Sequence, residues 1–143
     1  MKTEINNEWI YEQSPNEIWE YLTRSDLIAL WLMPNNFKLI QGHEFQFQTK
    51  PIPSQNLDGI IYCQVLEIVP MQKLVYSWKG GPGNGIFTLD TVVEWTIEKY
   101  GVGTKLILKQ SGFNETNIDI FNGMTEGWKK LVQKMMNQLF GMK

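Results

Sequence analysis

The residues able to do covalent chemistry are few. His43 is the sole histidine and Cys63 the sole cysteine. A zinc site of the usual kind takes three or four imidazole or thiolate ligands, so a His/Cys metal site is not expected. A Cys63–His43 nucleophile pair would need hydrogen-bond reach between the two. His43 follows Gly42 just before a strand, where the surface is the expected place for it. The patterns GxSxG and HExxH are absent. Glu94 and Glu98 share a strand face, which puts them roughly 13 Å apart, beyond the separation of a glycosidase carboxylate pair. Asp58 and Asp90 fall in turn regions without an evident partner. The run "GGPGNG" from Gly80 to Gly85 invites comparison with a phosphate-binding loop. Its glycines do not follow G-x-G-x-x-G, and "IFTLDTVV" after them reads as a strand, not as the helix such a loop opens. No cofactor is implied.

The aromatic residues carry more information. They make up 13% of the chain and include six tryptophans. Phe45, Phe47, Tyr76, Trp78, Trp95 and Trp128 all fall on faces expected to point between a sheet and a long helix. Core packing is one reading, since aromatic side chains are often buried. The other is a pocket. Tyr and Trp each bring a polar atom that needs a partner when buried, and several of them under one helix suit an apolar site with few polar groups. Gln110 shares a face with Leu108 and adds a donor and an acceptor. Met124, Met135 and Met136 would give an adaptable wall.

The elements that must position these residues follow from patterning. Residues 3 to 12 suit a first strand. "SPNE" from Ser14 combines an N-cap, proline at the first helical position and Glu17 three residues after the cap. The helix it opens carries Ile18, Trp19 and Leu22 on one side. "TRSD" breaks it, and a second short helix holds Leu27, Leu30 and Trp31 until Pro34. "EFQFQTK" alternates, with Phe45, Phe47 and Thr49 on one face. "PIPSQNLDG" reads as a loop. "IIYCQVLEIV" is nearly all apolar and invites a bulge. "KLVYSW", "TVVEWTIEKY" and "KLILKQ" alternate cleanly. From about Asn117 to Phe140, the residues Met124, Trp128, Leu131, Met135 and Leu139 form one helical stripe. Glu126 and Lys130 are spaced to pair at i,i+4. Gly123 and Gly127, four apart on this helix, either let it approach the sheet or leave space beside it. Consecutive strands joined by short turns imply an antiparallel sheet, and the long helix is the element able to cover it.

Four segments in this order resemble one known family: "IWEYLTRSDLIALWLMP", "GIIYCQVLEIVPMQKLVYSW", "VEWTIEKYGVGTKLILKQSGF" and "EGWKKLVQKM". The chain is similar over nearly its whole length to the activator of heat-shock-protein-90 ATPase homologue (AHSA-type) family, within the START-like, birch-pollen-allergen-like superfamily. Trp19, Leu22, Thr23, Trp31, Pro70, Leu74, Trp78, Gly103, Thr104, Gly112, Phe113, Gly127 and Trp128 carry the match. The resemblance implies one α+β domain over 1–143 with the helix-grip fold. In it a curved seven-stranded antiparallel sheet wraps a long C-terminal helix, and two short helices follow the first strand. It also implies a cavity between sheet and helix that takes apolar molecules. With the face pattern, the expected lining is Trp31, Phe45, Phe47, Tyr76, Trp78, Trp95, Leu108, Gln110, Trp128, Leu131 and Met135. Two departures stand out. Leu32 follows Trp31 where many relatives have a second tryptophan, and Gln110 lies near the place where many carry histidine.

Totals narrow the function. A chain of 143 residues favours one domain that buries about 68–70% of its unfolded surface. A net charge of −2 gives no basic face for nucleic acid or an anionic membrane. No run reaches the ~18 apolar residues of a membrane span. "MKTEINNEW" lacks the apolar core of a signal peptide, so a cytoplasmic location is expected. The favoured reading is a binding protein for a small apolar or aromatic molecule, monomeric or weakly homodimeric. The alternatives are a chaperone-associated interaction module and a cyclase or hydrolase. The separate N-terminal domain of eukaryotic chaperone activators is not expected here, and the third reading has no identifiable acid, base or nucleophile beyond tyrosines such as Tyr76. The glycine loop at 80–85 is expected as a movable rim of the cavity.

Overall fold

The computed structural model describes residues 4–141. The first strand, β1, spans Glu4–Tyr11; the expected start at Thr3 lies outside the described residues. Two short helices follow, α1 (Pro15–Thr23) and α2 (Ser25–Trp31). The strands β2 (Glu44–Gln48), β3 (Ile60–Val69), β4 (Lys73–Gly80), β5 (Leu89–Tyr100) and β6 (Gly103–Ser111) come next, and the helix α3 (Ile118–Gly141) closes the order.

The α1 start is the capping box that the sequence spells. The Ser14 hydroxyl accepts from the Glu17 amide at 3.3 Å, and the Glu17 carboxylate accepts from the Ser14 amide at 3.4 Å. Ile18, Trp19, Tyr21 and Leu22 are its buried face. In α2, Trp31 is buried but Leu30 points outward and is exposed.

All five strand pairings are antiparallel, in the order β1-β6-β5-β4-β3-β2. Because β1 and β2 form opposite edges, the α1–α2 segment carries the chain from one edge to the other. Six strands are described, not the seven that the family resemblance implied. Between α2 and β2 the chain makes only an isolated bridge, Asn35 to Phe47. There the Asn35 side chain bonds locally, donating to the Met33 carbonyl and accepting from the Phe37 amide, which replaces a ladder. The apolar run of β3 contains the expected irregularity, a register shift between Val65 and Glu67.

One face of the sheet packs under α3. Trp128, Val132, Met135 and Leu139 are buried on the helix, facing Trp78, Trp95, Leu106 and Leu108 among others. A short 3-10 turn, Glu115–Asn117, precedes α3 and occupies the place where the helix was expected to begin. On the outer face of α3, Glu126 pairs with Lys129 at 3.6 Å, not with Lys130. Both spacings bring side chains together on a helix. No helix among the described residues is long and apolar enough to cross a membrane.

Candidate functional site

A cleft of about 430 Å³ opens between the sheet and α3. The sheet supplies Ile61, Trp78 and Leu89, one from each of β3, β4 and β5. The helix supplies Ile120, Gly123, Met124, Gly127, Trp128 and Leu131. Met33, just past α2, and Thr49, Ile52, Gln55 and Leu57, from the β2–β3 connection, complete the wall. No lining side chain is charged or titratable.

Strand alternation explains the sheet side, since Trp78 lies on the same face of β4 as Leu74 and Tyr76. The helix side follows from the 3.6-residue repeat, with one difference from an ordinary core stripe. A Cβ built on Gly123 or on Gly127 would meet nothing within 4 Å. Glycine in a helix costs about 1 kcal/mol relative to alanine. Close approach of helix and sheet does not account for this pair. The glycines leave space.

Beside the cleft runs a directed chain of buried hydrogen bonds. The Trp128 Nε1–H donates to Gln110 Oε1 at 2.8 Å. Gln110 Nε2 donates to Thr91 Oγ1 at 3.0 Å, and Thr91 Oγ1 donates to the Trp78 carbonyl at 2.8 Å. Gln110 and Thr91 are 0% and 1% exposed, so each of these bonds avoids the cost of an unmet polar group in the interior. The chain ties α3 to β6, β5 and β4 and holds both cleft tryptophans; their rings lie 5.3 Å apart, tilted by 58°.

Of the residues expected at the site, Trp78, Trp128 and Leu131 line the cleft. Trp31, Phe45, Phe47, Tyr76, Trp95, Leu108, Gln110 and Met135 lie in the adjoining core. Edge-to-face aromatic contacts hold much of that core: Trp31 to Trp95 at 5.9 Å, Trp95 to Trp128 at 5.5 Å and Phe45 to Tyr76 at 5.4 Å. The Tyr76 hydroxyl accepts from Trp95 Nε1 at 3.0 Å, and burial pushes its pKa up. Met135 packs at the Tyr11 hydroxyl. Gln110 spends its amide on the chain above and on the Met124 sulfur at 3.6 Å, and it does not line the cleft.

Sequence reasoning missed the wall built by Met33, Thr49, Ile52, Gln55 and Leu57, together with Ile61, Leu89 and Ile120. Leu89 could have been found, because it continues the Thr91, Val93, Trp95 face backward by two residues. Thr49 could have been found too, because it continues the Phe45, Phe47 face; Ile52, Gln55 and Leu57 gave no periodic signal. Their shape comes from a 3-10 turn at Pro53–Gln55 and a backbone bridge between Ile52 and Leu57.

The glycine loop does not form the rim as expected. None of residues 80–88 lines the cleft. The Gly81 carbonyl accepts from the Asp58 amide at 2.8 Å, and the Thr88 amide returns to the Gly80 carbonyl at 3.0 Å. A Cβ on Gly80 would stand 3.1 Å from the Leu57 side chain. The loop therefore braces the β2–β3 connection from behind, and that connection is the rim.

The other candidates for chemistry stay apart. Cys63 is buried, which raises its pKa, while the His43 ring contacts the Asn36 carbonyl at 3.2 Å; among the described residues no hydrogen bond joins the two. Glu94 meets Lys73 at 3.8 Å on the outer face. A second groove of about 460 Å³ lies over β2, β3 and β4, lined by polar groups including Glu44, Gln46, Gln64 and Lys79, with Tyr62 and Phe87.

A family model described as Activator of Hsp90 ATPase homolog 1-like protein matches residues 12–141. Among solved structures, protein MLL2253 from Mesorhizobium loti superposes with a TM-score of 0.87 at 29% identity, covering 98% of each chain. CalU16 from Micromonospora echinospora gives 0.72 at 21% identity, over 92% of this chain and 73% of its own. The Aha1 dimer from Colwellia psychrerythraea gives 0.76 at 18% identity, over 95% of each chain. No curated protein matches.

Proposed function

Starting from the premise that this chain belongs to the Activator of Hsp90 ATPase homolog 1-like protein family, we propose that it binds a small apolar or aromatic molecule in the cleft between sheet and α3. One observation carries the reading: an apolar cleft of about 430 Å³ that no charged side chain lines. That volume is within the range of small-molecule sites. Catalysis is the weaker reading, because no side chain lining the cleft is titratable, which leaves the Thr49 hydroxyl without a general acid or base beside it. Tyr76, the tyrosine nearest to a role in the sequence, is bonded to Trp95 in the core and held protonated by burial.

The test is a thermal-shift and tryptophan-fluorescence screen of the native protein against neutral lipids and aromatic compounds, with mass spectrometry of whatever co-purifies. A ligand at a hundred times its Kd should add about 2.7 kcal/mol of stability and change the emission of Trp78 and Trp128. Silence across the whole library, with no co-purified molecule, would end the proposal. The second reading, a chaperone-associated module, draws on the description of the family itself. It requires stimulation of a chaperone ATPase by this chain.

A further inference from the structure

We propose that the outer face of the sheet carries a second binding site, in the groove over β2, β3 and β4. It takes a neutral saccharide, with a sugar ring laid against Phe87 and its hydroxyls on the strand side chains below. The site lies across the sheet from the cleft, and nothing in it depends on what the cleft holds.

The glycine loop builds the wall of this groove. The Gly83 carbonyl accepts from the Ile86 amide at 3.1 Å, and Asn84 and Gly85 between them have φ of 57° and 75°. That is the tight turn for which Asn-Gly is favoured. It sends the chain back across Gly81, where any Cβ would run into the Ile86 carbonyl. The return delivers Phe87 to the outer face. Its ring meets the Tyr62 ring at 5.3 Å and 67°, and the Lys79 ammonium lies 5.7 Å from its centre. Tyr62 is fixed in turn, because its hydroxyl donates to Asp58 Oδ2 at 3.2 Å. Phe87 still remains 43% exposed. An aromatic ring is thus held over a polar groove of about 460 Å³, within the size range of small-molecule sites.

Strand register sets the floor. Gln46, Tyr62 and Lys79 stand side by side on three neighbouring strands, and Glu44 and Gln64 pair in the next row. Neighbouring strands lie about 4.8 Å apart, so a row of three spans about 10 Å. Ser77 completes the second row. Its hydroxyl accepts from the Gln64 amide at 2.8 Å, and a hydroxyl that accepts can also donate. Gln64 gives Nε2 to the Gly42 carbonyl at 3.2 Å, which leaves Oε1 to accept. Asn36 receives the Gln46 amide on Oδ1 at 2.7 Å, which leaves its NH2 to donate. Donors and acceptors are therefore interspersed beneath one aromatic ring.

That combination selects among ligand chemistries. A hydrocarbon would cover the polar groups without replacing their bonds to water, which is unfavourable. An ion finds charges that cancel: Lys79 already faces Asp90 at 3.9 Å, and Glu44 is the other charged residue of the lining. A sugar ring matches both parts. Its C–H groups suit the negative face of an aromatic ring, and its hydroxyls donate and accept as the floor requires.

The experiment is a heteronuclear NMR titration of the whole chain with cellobiose, lactose and diacetylchitobiose, with cyclohexanol and glutamate as controls. At least one disaccharide should shift the Phe87 signals and the Gln46 and Gln64 side-chain amides in a saturable way. Saturation transfer should mark the C–H protons of its ring. Phe87→Ala should weaken that binding about tenfold, and Phe87→Trp should keep it. The melting temperatures of both variants check that the fold is intact, and Gln46→Ala, on the exposed floor, should weaken binding as well. Silence from all three disaccharides overturns the proposal. So do equal groove shifts with cyclohexanol or glutamate, and so does sugar binding that survives Phe87→Ala undiminished. None of these results bears on the cleft, whose ligand screen stands or falls by itself.

Discussion

Gln110 shows how one side chain can organise the centre of a domain. Its amide accepts from Trp128 and donates to Thr91, and both groups are fully enclosed. Gln110→Leu keeps the approximate volume and strands the Trp128 N–H. It should lower stability by about 1–3 kcal/mol, read from urea denaturation, whereas no loss would mean that the indole finds another partner. The buried Tyr11, Cys63 and Tyr76 set a pH dependence. Burial raises the pKa of each in the folded chain, so the unfolded chain releases protons first as pH rises. Their contribution is intact at neutral pH and is lost progressively once pH passes the unfolded values, about 8.5 for cysteine and 10 for tyrosine. Stability should therefore fall above about pH 9; a stability that rises through that range contradicts the burial of these groups. Because no cleft residue titrates, the affinity for a neutral ligand should stay flat between about pH 5 and 8, the range in which histidine is the side chain that ordinarily changes charge.

At the scale of elements, α1 and α3 make opposite predictions. The capping box at Ser14 satisfies helix N–H groups, so Ser14→Ala should cost about 1 kcal/mol with no change in the cleft. Gly123→Ala should stabilise α3 by up to about 1 kcal/mol, since nothing stands in the way of the added methyl. A destabilised Gly123→Ala would show that the helix needs glycine for closeness after all. These elements also show what was legible beforehand. Strand alternation and the box at Ser14 are local rules, and β2, β5, β6 and α1 obey them; β4 departs from the alternation expected of it, because Val75 and Ser77 are buried as well as Leu74, Tyr76 and Trp78. The bulge in β3 was readable as an apolar run too long for one face. The β2–β3 connection was not readable. Its shape depends on backbone bonds to the glycine loop, such as Asp58 to Gly81, and such pairings over long separations leave no period in the sequence. The glycine pair was visible as a spacing, but whether it meant close approach or open space depended on what stands opposite, which only the packed helix reveals.

For the whole molecule, the division is between a core that is full and a cleft that is not. The aromatic residues clustered as the alternation required, but most of them satisfy one another. Trp31, Trp95 and Trp128 meet edge to face, and Phe45, Phe47 and Tyr76 form a neighbouring group. Among the described residues, the sheet–helix interface stays open at the end near Trp78 and the two glycines. Periodicity identifies the inward face but not which inward residues run out of neighbours. The most direct test of the account is a heteronuclear NMR titration of the native chain with the tightest neutral aromatic compound from the ligand screen. The account predicts that the Trp78 indole N–H and the Gly123 and Gly127 amides shift most, while signals around Tyr62, Lys79 and Phe87 on the outer groove stay in place. Shifts confined to that outer groove, with the Trp78 and glycine signals unmoved, would contradict it.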